Sequence, residues 1–454
     1  MRNIAGEKMG PSSVKRREFL RALGLTTVGA AGLSGILDPF KFARAAITPG
    51  QKGIYITALY RTKTTLNNYG FIVRLETNKG ITGYGECRDL DSGNQAGLSK
   101  YGPIILGMNP TQVDRVFNAM MQAYTPPSNM ANQELNGVGA ISGIEMACWD
   151  IIGKVYGVPV WQLLGPKLRD KIPMYADTDN SSTAQINARV AKGFLRYKCD
   201  MYMSSIAAGN YTTSSTPNNY GYYEITLNSA GLNQMANYLQ GFRSALVAAG
   251  EPFASAPIGS DHYQGYNATN QLSVASAIAL ANILKPISMG GYVEDVIDWW
   301  INGCSGAPSK AVADGTTMNV QTGEDMFGFD EFKAFIDIGA CDIIHPEPNT
   351  AGGLNQTLLA AKYAHSKGLK TMFHNSSGPV AMTAYAHLAA VVPSFVAMEF
   401  HHMDVAWHDD LVDGIDKPMI TNGQMNVPEG PGLGITLNAA ALSAHGASSW
   451  TRVT

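Results

Sequence analysis

Two kinds of hydrophobic periodicity divide the first third of the chain. Apolar and polar residues alternate from Gly53 to Val73, and Asn78-Lys79-Gly80 supplies a turn into a further alternating stretch that ends at Glu86. This pattern predicts a small antiparallel sheet. Helical periodicity follows over 111–123 and 138–156. Residues 47–168 are therefore predicted to form an α+β domain.

Beyond this domain, short apolar strands alternate with helical segments, predicted over 272–284, 330–338 and 354–366. An acid or a histidine recurs here at intervals of 33, 30, 23, 27 and 25 residues, the length of a strand plus a helix. The members of this series are Asp261, Glu294, Glu324, Glu347, His374 and Glu399. In a (β/α)8 barrel, working residues lie at the C-terminal ends of successive strands. Residues 169–400 are therefore predicted to form a barrel, and 401–454 a C-terminal segment.

One interval is about twice as long as the others. Asp200 and Asp261 are 61 residues apart, and the surplus includes a stretch from Ser204 to Tyr222 rich in Ser, Thr, Asn, Gly and Tyr. We interpret it as an insertion over the barrel mouth. It either closes over a substrate or packs as a surface insertion, and the sequence does not decide between the two.

Composition excludes several classes of protein. The chain is 45% hydrophobic and 15% charged with a net charge of −3, which is typical of a globular protein and gives no basic patch for nucleic acid. Five cysteines without CxxC spacing indicate neither a disulfide framework nor a zinc site, and most lie in apolar segments as small core residues.

The first 46 residues have a different character. Lys15-Arg16-Arg17-Glu18-Phe19-Leu20 precedes a Gly/Ala-rich apolar run, and Ala43-Arg44-Ala45 follows it. This order is typical of a twin-arginine export signal, which predicts a periplasmic protein. The alternatives are a basic N-terminus or a membrane anchor, but the run holds too many glycines for a stable span, and no stable membrane insertion is expected.

Several motifs together resemble one known family. They are Gly143-Ile144-Glu145-Met146-Ala147-Cys148-Trp149-Asp150-Ile151-Ile152-Gly153-Lys154, the Gly83–Glu86 hairpin, Thr322-Gly323-Glu324, Gly352-Gly353 and Val427-Pro428. Their order resembles the mandelate racemase and muconate lactonising branch of the enolase superfamily. The resemblance implies a modified TIM barrel, (β/α)7β, with an N-terminal capping domain to which the C-terminal segment returns. It also implies a homo-oligomer, from dimer to octamer.

The same resemblance implies a metal site. The family takes metal ligands from barrel strands three, four and five, which match Asp261, Glu294 and Glu324. Each residue alone is equally compatible with a surface carboxylate or a helix N-cap. Three converging carboxylates suit Mg²⁺, which prefers oxygen ligands. Bound Mg²⁺ stabilises the enediolate that forms when a proton leaves the carbon next to a carboxylate.

Candidate acid–base residues follow from the same match. Lys198 matches the first lysine of the family's Lys-x-Lys strand, and His374 the histidine that ends strand seven. Glu347 replaces the usual aspartate that orients this histidine, which we expect to act as a general acid. Asp200 stands where the second lysine is common. An acid beside Lys198 keeps it protonated, which disfavours a two-base racemase and favours a dehydratase.

Other polar residues complete the predicted site. His262 follows Asp261 directly, whereas some sugar-acid dehydratases place a catalytic histidine two residues after this ligand; His262 is therefore either catalytic or a packed histidine. Glu399 matches the acid that closes strand eight, and it is predicted to contact substrate together with Asp200 and His401.

The sequence thus predicts a Mg²⁺-dependent enzyme that removes the proton α to a carboxylate of a small molecule, and a sugar-acid dehydratase above all. A racemase, epimerase or cycloisomerase uses the same first step and is the alternative enzyme. An inactive acid-binding periplasmic protein is the alternative outside enzymes.

Overall fold

The computed structural model describes residues 53–66, 69–88, 91–125, 137–178, 182–201, 206–219, 222–251, 256–262, 270–297 and 306–454. The predicted export signal lies outside these ranges. Within them, no helix is both long enough and apolar enough to cross a membrane.

The alternating residues near the start form the predicted antiparallel sheet. Its strands are Ile56–Thr62, Ile72–Thr77 and Thr82–Glu86, and they pair in chain order. Thr451–Arg452, close to the end of the chain, adds a fourth strand beside Ile56–Thr62.

In the part of the chain that the structure describes, four helices follow this sheet: Asp91–Ile105, Val113–Ala123, Val138–Tyr156 and Val160–Leu164. The third helix is buried from Val138 to Gly153 and packs against the strand Thr82–Glu86. A Cβ at Gly85 would lie 2.0 Å from the carbonyl oxygen of Gly143, so only glycine permits this approach. The Gly-x-Gly-Glu hairpin is therefore a packing motif.

Eight parallel strands close into a barrel, because the eighth strand pairs with the first. Each of the other strands in the ring also pairs in parallel with the next one. In order they are Lys171–Thr178, Tyr197–Asp200, Ile258–Asp261, Tyr292–Glu294, Asn319–Thr322, Ile343–Ile344, Lys370–Phe373 and Phe395–Phe400.

Seven helices alternate with these strands, one after each of the first seven. They are Thr183–Ala191, Ser229–Ala248, Val274–Ser288, Ala307–Gly315, Phe329–Ile338, Leu354–Ser366 and Pro379–Ala389. The eighth strand leads instead into the C-terminal segment, so the predicted (β/α)7β barrel is confirmed. Two short strands of that segment, Ile420–Thr421 and Gln424–Asn426, extend the sheet beside the first barrel strand.

The C-terminal segment also contains two further short strands, Val412–Asp413 and Thr436–Leu437, which pair with each other, and a helix over Ala439–Ala444.

The insertion after the second barrel strand is more ordered than the sequence predicts. Tyr211–Thr213 pairs with Tyr223–Leu227, which in turn pairs with Asn270–Leu272, in a three-stranded sheet. The predicted start of a helix at Leu272 is wrong, because Leu272 ends a strand. The helix begins at Val274, where the hydroxyl of Ser273 accepts the backbone N–H of Ser276.

The core consists of the buried faces of these elements. It includes the four cysteines in the described part of the chain, Cys87, Cys148, Cys199 and Cys341, all of them buried and free of disulfides. Their prediction as small core residues is confirmed; Cys304 lies outside the described residues.

Candidate active site

Ionisable side chains gather at the C-terminal ends of the barrel strands. Parallel strands end at one face of a barrel, so residues distant in sequence meet there. In strand order they are Asp177; Lys198 and Asp200; Asp261; Glu294; Glu324; His345 and Glu347; His374; and Glu399 with His401. All are buried except His401, which is partly exposed.

Lys198 lies among carboxylates. Its Nζ is 2.8 Å from Oδ2 of Asp261 and 2.5 Å from Oε1 of Glu399. Glu294 and Asp177 are at 3.7 and 4.0 Å. Burial alone would lower the pKa of Lys198, but these charges raise it well above its ordinary value. The lysine is therefore held as a cation.

Glu399 stands at the centre of the cluster. Besides Lys198, it accepts a hydrogen bond from the hydroxyl of Tyr175 at 2.8 Å, and Nε2 of His401 is 3.1 Å from its Oε1. Burial would raise the pKa of Glu399, yet the positive charges around it hold this pKa well below its usual range. Glu399 is therefore an anion that lies between Lys198 and His401 and contacts both.

His374 and Glu347 form a buried pair. Nδ1 of His374 is 2.6 Å from Oε2 of Glu347, and Glu347 in turn accepts hydrogen bonds from the hydroxyl of Tyr385 and the backbone N–H of Ser376. Because Glu347 accepts the Nδ1 proton, a neutral His374 carries its lone pair on Nε2. Burial lowers the pKa of His374 well below its ordinary value, which favours this neutral form.

Asp200 and His262 lie at the edge of this network. Desolvation and the charge of Asp177 raise the pKa of Asp200 to about 8. The charge of Lys198 opposes this rise, while the shortest ion-pair contacts of Lys198 are those to Asp261 and Glu399. His262 is buried, its Nε2 is 3.3 Å from the hydroxyl of Ser260, and burial lowers its pKa to about 4.

Three groups of side chains offer donors for a metal ion: His374, Glu399 and His401, whose ligand atoms lie within 4.8 Å of one another, and two overlapping sets that share Glu294 and Glu324. Asp261 and Glu294 are register partners on adjacent strands, and Glu324 follows the next strand. Ligand atoms of Glu294, Glu324 and His345 also lie within 4.8 Å of one another. Burial raises the pKa of Glu294, and burial with the neighbouring Asp325 raises that of Glu324 well above its ordinary value. A bound cation would relieve both penalties, so the residues fit a metal.

The surroundings of His345 favour the oxygen set. Its Nδ1 is 2.5 Å from Oε1 of Glu294, and its Nε2 is 2.7 Å from the hydroxyl of Tyr175, whose proton goes to Glu399. Burial lowers the pKa of His345, but the interactions with Glu294 and Glu399 together raise it more, to about 9. One set includes an imidazole nitrogen, whereas Asp261, Glu294 and Glu324 offer only the oxygen ligands that suit Mg²⁺.

The N-terminal domain reaches the site through Arg88. Its Nη1 lies 2.8 Å from Oδ1 of Asp325 and 2.8 Å from the hydroxyl of Thr350, and it also donates to the backbone oxygen of Glu324 at 3.3 Å. One guanidinium group thus joins the loops after the fifth and sixth barrel strands.

Sequence reasoning missed three members of this site. Tyr175 and Asp177 lie in the first barrel strand, and His345 follows the sixth directly. Asp177 and His345 could have been found by the rule that identified the acidic series, because both lie at the C-terminal ends of predicted strands. Tyr175 has no such signal, because a tyrosine in an apolar strand is ordinarily a core residue.

The chain matches two domain models that together cover most of it. One describes the mandelate racemase / muconate lactonizing enzyme N-terminal domain, over residues 59–165. The other describes an enolase C-terminal domain-like unit, over residues 240–441. The chain therefore belongs to the mandelate racemase / muconate lactonizing enzyme family of the enolase superfamily, and it is an enzyme of this family.

Similar proteins span nearly the whole chain at low identity. A D-xylonate dehydratase from Haloferax volcanii is 27% identical over 411 residues, which are 88% of this chain and 91% of that protein. A D-galactonate dehydratase family member from Musicola paradisiaca is 27% identical over 84% of this chain and 92% of its own. The crystal structure of a mandelate racemase/muconate lactonizing enzyme-like protein from Rubrobacter xylanophilus superposes with a TM-score of 0.72 at 22% identity, covering 87% and 98% of the two chains. This last likeness concerns the fold.

Proposed function

We propose that this enzyme dehydrates a sugar acid. It removes the proton on the carbon next to the carboxylate and eliminates the hydroxyl group on the β-carbon as water. The observation that carries the proposal is the arrangement around Glu399, where a charged lysine and carboxylate-held histidines meet at the barrel mouth beside three acidic side chains. The dehydratase names of the similar proteins support it.

Mg²⁺ is the proposed cofactor, held by Asp261, Glu294 and Glu324. When bound, it supplies positive charge that stabilises the enediolate. Lys198 faces Asp261 and Glu399 as a fixed cation. Its charge favours binding of an acid and the build-up of negative charge on that acid's carboxylate.

The sequence predicts His374 as a general acid; we propose it as the base instead, because burial favours its neutral form. With Nδ1 bound to Glu347, its Nε2 carries the lone pair that can accept the α-proton. Lys198 suits this role less well, because it must first lose a proton that several carboxylates hold in place. Within the described residues His262 has no hydrogen bond to a carboxylate, and its Nε2 faces the hydroxyl of Ser260.

The alternatives make different products from the same first step. A racemase, epimerase or cycloisomerase exchanges the α-proton but does not lose water, and an inactive acid-binding protein does neither. Measuring α-proton exchange and loss of water therefore distinguishes these functions, although the fold does not.

The test is a screen of aldonic and aldaric acids, including D-xylonate and D-galactonate, with Mg²⁺ in deuterated water. NMR would follow deuterium at the α-carbon, and a colorimetric assay would follow the α-keto acid. His374→Ala and Lys198→Ala should each abolish turnover. Exchange without keto acid would support an isomerase instead, and full turnover in either variant would reject the proposed roles.

Three further proposals concern the protein's setting. The partner is a small-molecule carboxylate, and neither nucleic acid nor a membrane is a proposed partner. The twin-arginine pattern at Arg16 and Arg17 supports export to the periplasm; replacing both by lysine should block it. Assembly as a homo-oligomer, from dimer to octamer, would be measured by light scattering of the purified enzyme.

A further inference from the structure

We propose that His401, oriented by Asp177, is the general acid that protonates the departing hydroxyl group. This inference rests on the proposed dehydration and assigns the residue that completes it. His401 comes directly after the eighth barrel strand and Asp177 lies near the end of the first, and these two strands are neighbours in the closed barrel.

The pair resembles that of His374 and Glu347, with a longer contact. Nδ1 of His401 is 3.2 Å from Oδ2 of Asp177, an ion-pair distance, whereas Nδ1 of His374 is hydrogen-bonded to Glu347 at 2.6 Å. The two imidazole rings are 5.2 Å apart between centroids. Each ring thus has a carboxylate beside Nδ1, and its Nε2 lies near a second carboxylate, that of Glu324 at 3.3 Å for His374 and that of Glu399 at 3.1 Å for His401. Two acid–base groups therefore stand side by side.

His401 is also the more accessible of the two histidines. Its side chain is 24% exposed, against 4% for His374. It can therefore exchange protons with solvent between turnovers, which a group that gives up a proton in each cycle must do. His374 is enclosed and suits the transfer from the α-carbon.

The contacts of Glu399 allow His401 to release its Nε2 proton. In the structure Nε2 lies 3.1 Å from Oε1 of Glu399, and Nζ of Lys198 is 2.5 Å from the same oxygen. When the Nε2–H turns to a substrate hydroxyl, Lys198 still compensates the buried carboxylate. No unpaired charge is left behind.

The charged groups that face His401 favour its cationic form. Asp177 and Glu399 contact its ring, the carboxyl groups of Asp200 and Glu347 also interact with its charge, and Lys198, His374 and His402 are the basic groups nearby. Burial lowers the pKa of His401, but the carboxylates of Asp177 and Glu399 raise it more, to about 9. At neutral pH the ring therefore begins the cycle as an imidazolium, the form that a general acid requires.

The proposed step balances as follows. The base takes the α-proton, and the electron pair of the broken Cα–H bond forms a double bond between the α- and β-carbons. The β-carbon–oxygen bond breaks, and the hydroxyl group leaves as water with the Nε2 proton of His401. The resulting enol rearranges to an α-keto acid, while neutral His401 keeps its Nδ1–H on Asp177 and regains a proton from solvent.

His401→Asn tests this role by separating two partial reactions. Dehydration of D-xylonate or D-galactonate should fall about 10²- to 10⁴-fold, the usual contribution of an acid–base group. Deuterium exchange at the α-carbon should stay within a few-fold of the wild type. The analogue of D-xylonate with fluorine in place of the β-hydroxyl should also eliminate at nearly the wild-type rate, since fluoride leaves without a proton.

The outcomes are distinct. Equal loss of exchange, dehydration and fluoride release would mean that His401 only supports the site, and unchanged dehydration would also overturn the inference. A wild-type enzyme that dehydrates none of the screened acids would instead remove the proposed function itself. His365→Asn, at an exposed position on the helix Leu354–Ser366, is the matched control for loss of a histidine.

Asp177→Asn gives a second test that does not depend on losing the imidazole. It removes a negative charge that raises the pKa of His401, so the alkaline limb of the kcat profile should move to lower pH. A purely structural role for Asp177 would lower kcat without moving this limb.

Discussion

The carboxylate of Glu86 accepts the backbone N–H of Gly378 at 2.6 Å, four residues beyond His374. Its other oxygen accepts the N–H of Ala381 at 3.0 Å. These donors belong to the first turn of the helix Pro379–Ala389, whose free N–H groups and dipole favour a negative partner. A residue of the N-terminal sheet thus caps the barrel helix that follows the proposed base.

The buried position of Glu86 makes this contact sensitive to pH. Burial raises the pKa of Glu86 from 4.5 to about 7, although the helix N–H groups oppose the shift. Because the folded-state pKa is the higher one, the associated stability is full below pH 4.5 and is lost as the pH rises through 7. Lowering the pH from 8 to 5 should therefore stabilise the wild type relative to Glu86→Gln.

The size of this effect follows from the pKa shift. It amounts to about 3–4 kcal/mol across the whole window from pH 4.5 to 7, since one pKa unit corresponds to about 1.4 kcal/mol. Glutamine also leaves one N–H without an acceptor, which adds an offset that does not depend on pH. Thermal unfolding of both proteins at several pH values measures the difference, and a constant gap in Tm would contradict the prediction.

Glu145 likewise caps the N-terminus of another barrel helix, Leu354–Ser366. Its carboxylate accepts the N–H groups of Leu354 and Asn355 at 2.9 and 3.1 Å, and the indole N–H of Trp149 at 2.8 Å. Glu145→Ala would leave three buried donors unpaired, each at a cost of about 1–3 kcal/mol. We expect at least about 3 kcal/mol of lost stability by denaturant unfolding. Glu429→Ala, at an exposed position, should change stability by less than about 0.5 kcal/mol.

These two carboxylates show what a single sequence can and cannot reveal. The buried helix 138–156 was predicted from its periodicity, since every turn places apolar residues on the core face. The role of Glu145 was not predicted, because its partner Leu354 lies 209 positions further along the chain. Nothing in local spacing identifies which backbone a buried acid will meet.

The barrel and its acidic series were more accessible to prediction. A strand and a helix need a nearly fixed number of residues, so the spacing of Asp261, Glu294 and Glu324 predicts that they lie at the ends of successive strands. The insertion was less accessible, because short strands such as Tyr211–Thr213 are only three residues long and polar. The links between sites also depend on geometry: the contact of Asp177 with His401 follows from barrel closure, which brings the first and eighth strands together.

The two metal donor sets predict different variant behaviour. If oxygen ligands hold Mg²⁺, Asp261→Asn and Glu294→Gln should abolish the rise in Tm that Mg²⁺ produces, whereas His345→Asn should keep it. A ligand at one hundred times its Kd stabilises a protein by about 2.7 kcal/mol, which is ample for this measurement. A shift that survives in Asp261→Asn but disappears in His345→Asn would assign the ion to the set with the imidazole.

Glu347→Gln tests the orientation of the proposed base. The carboxylate accepts the Nδ1 proton of His374, and glutamine can instead present its N–H₂ group to Nδ1, which would place the ring proton on Nε2. His374 would then lack the lone pair that takes the α-proton. We expect kcat to fall about 10²- to 10⁴-fold with little change in KM, and α-deuterium exchange to fall with it. Tyr385→Phe removes the hydrogen bond that this hydroxyl donates to Glu347 and the one it accepts from the backbone N–H of Asn349; it should leave the tautomer intact and reduce kcat far less. Equal losses in the two variants would show that Glu347 acts through packing rather than through the tautomer of His374.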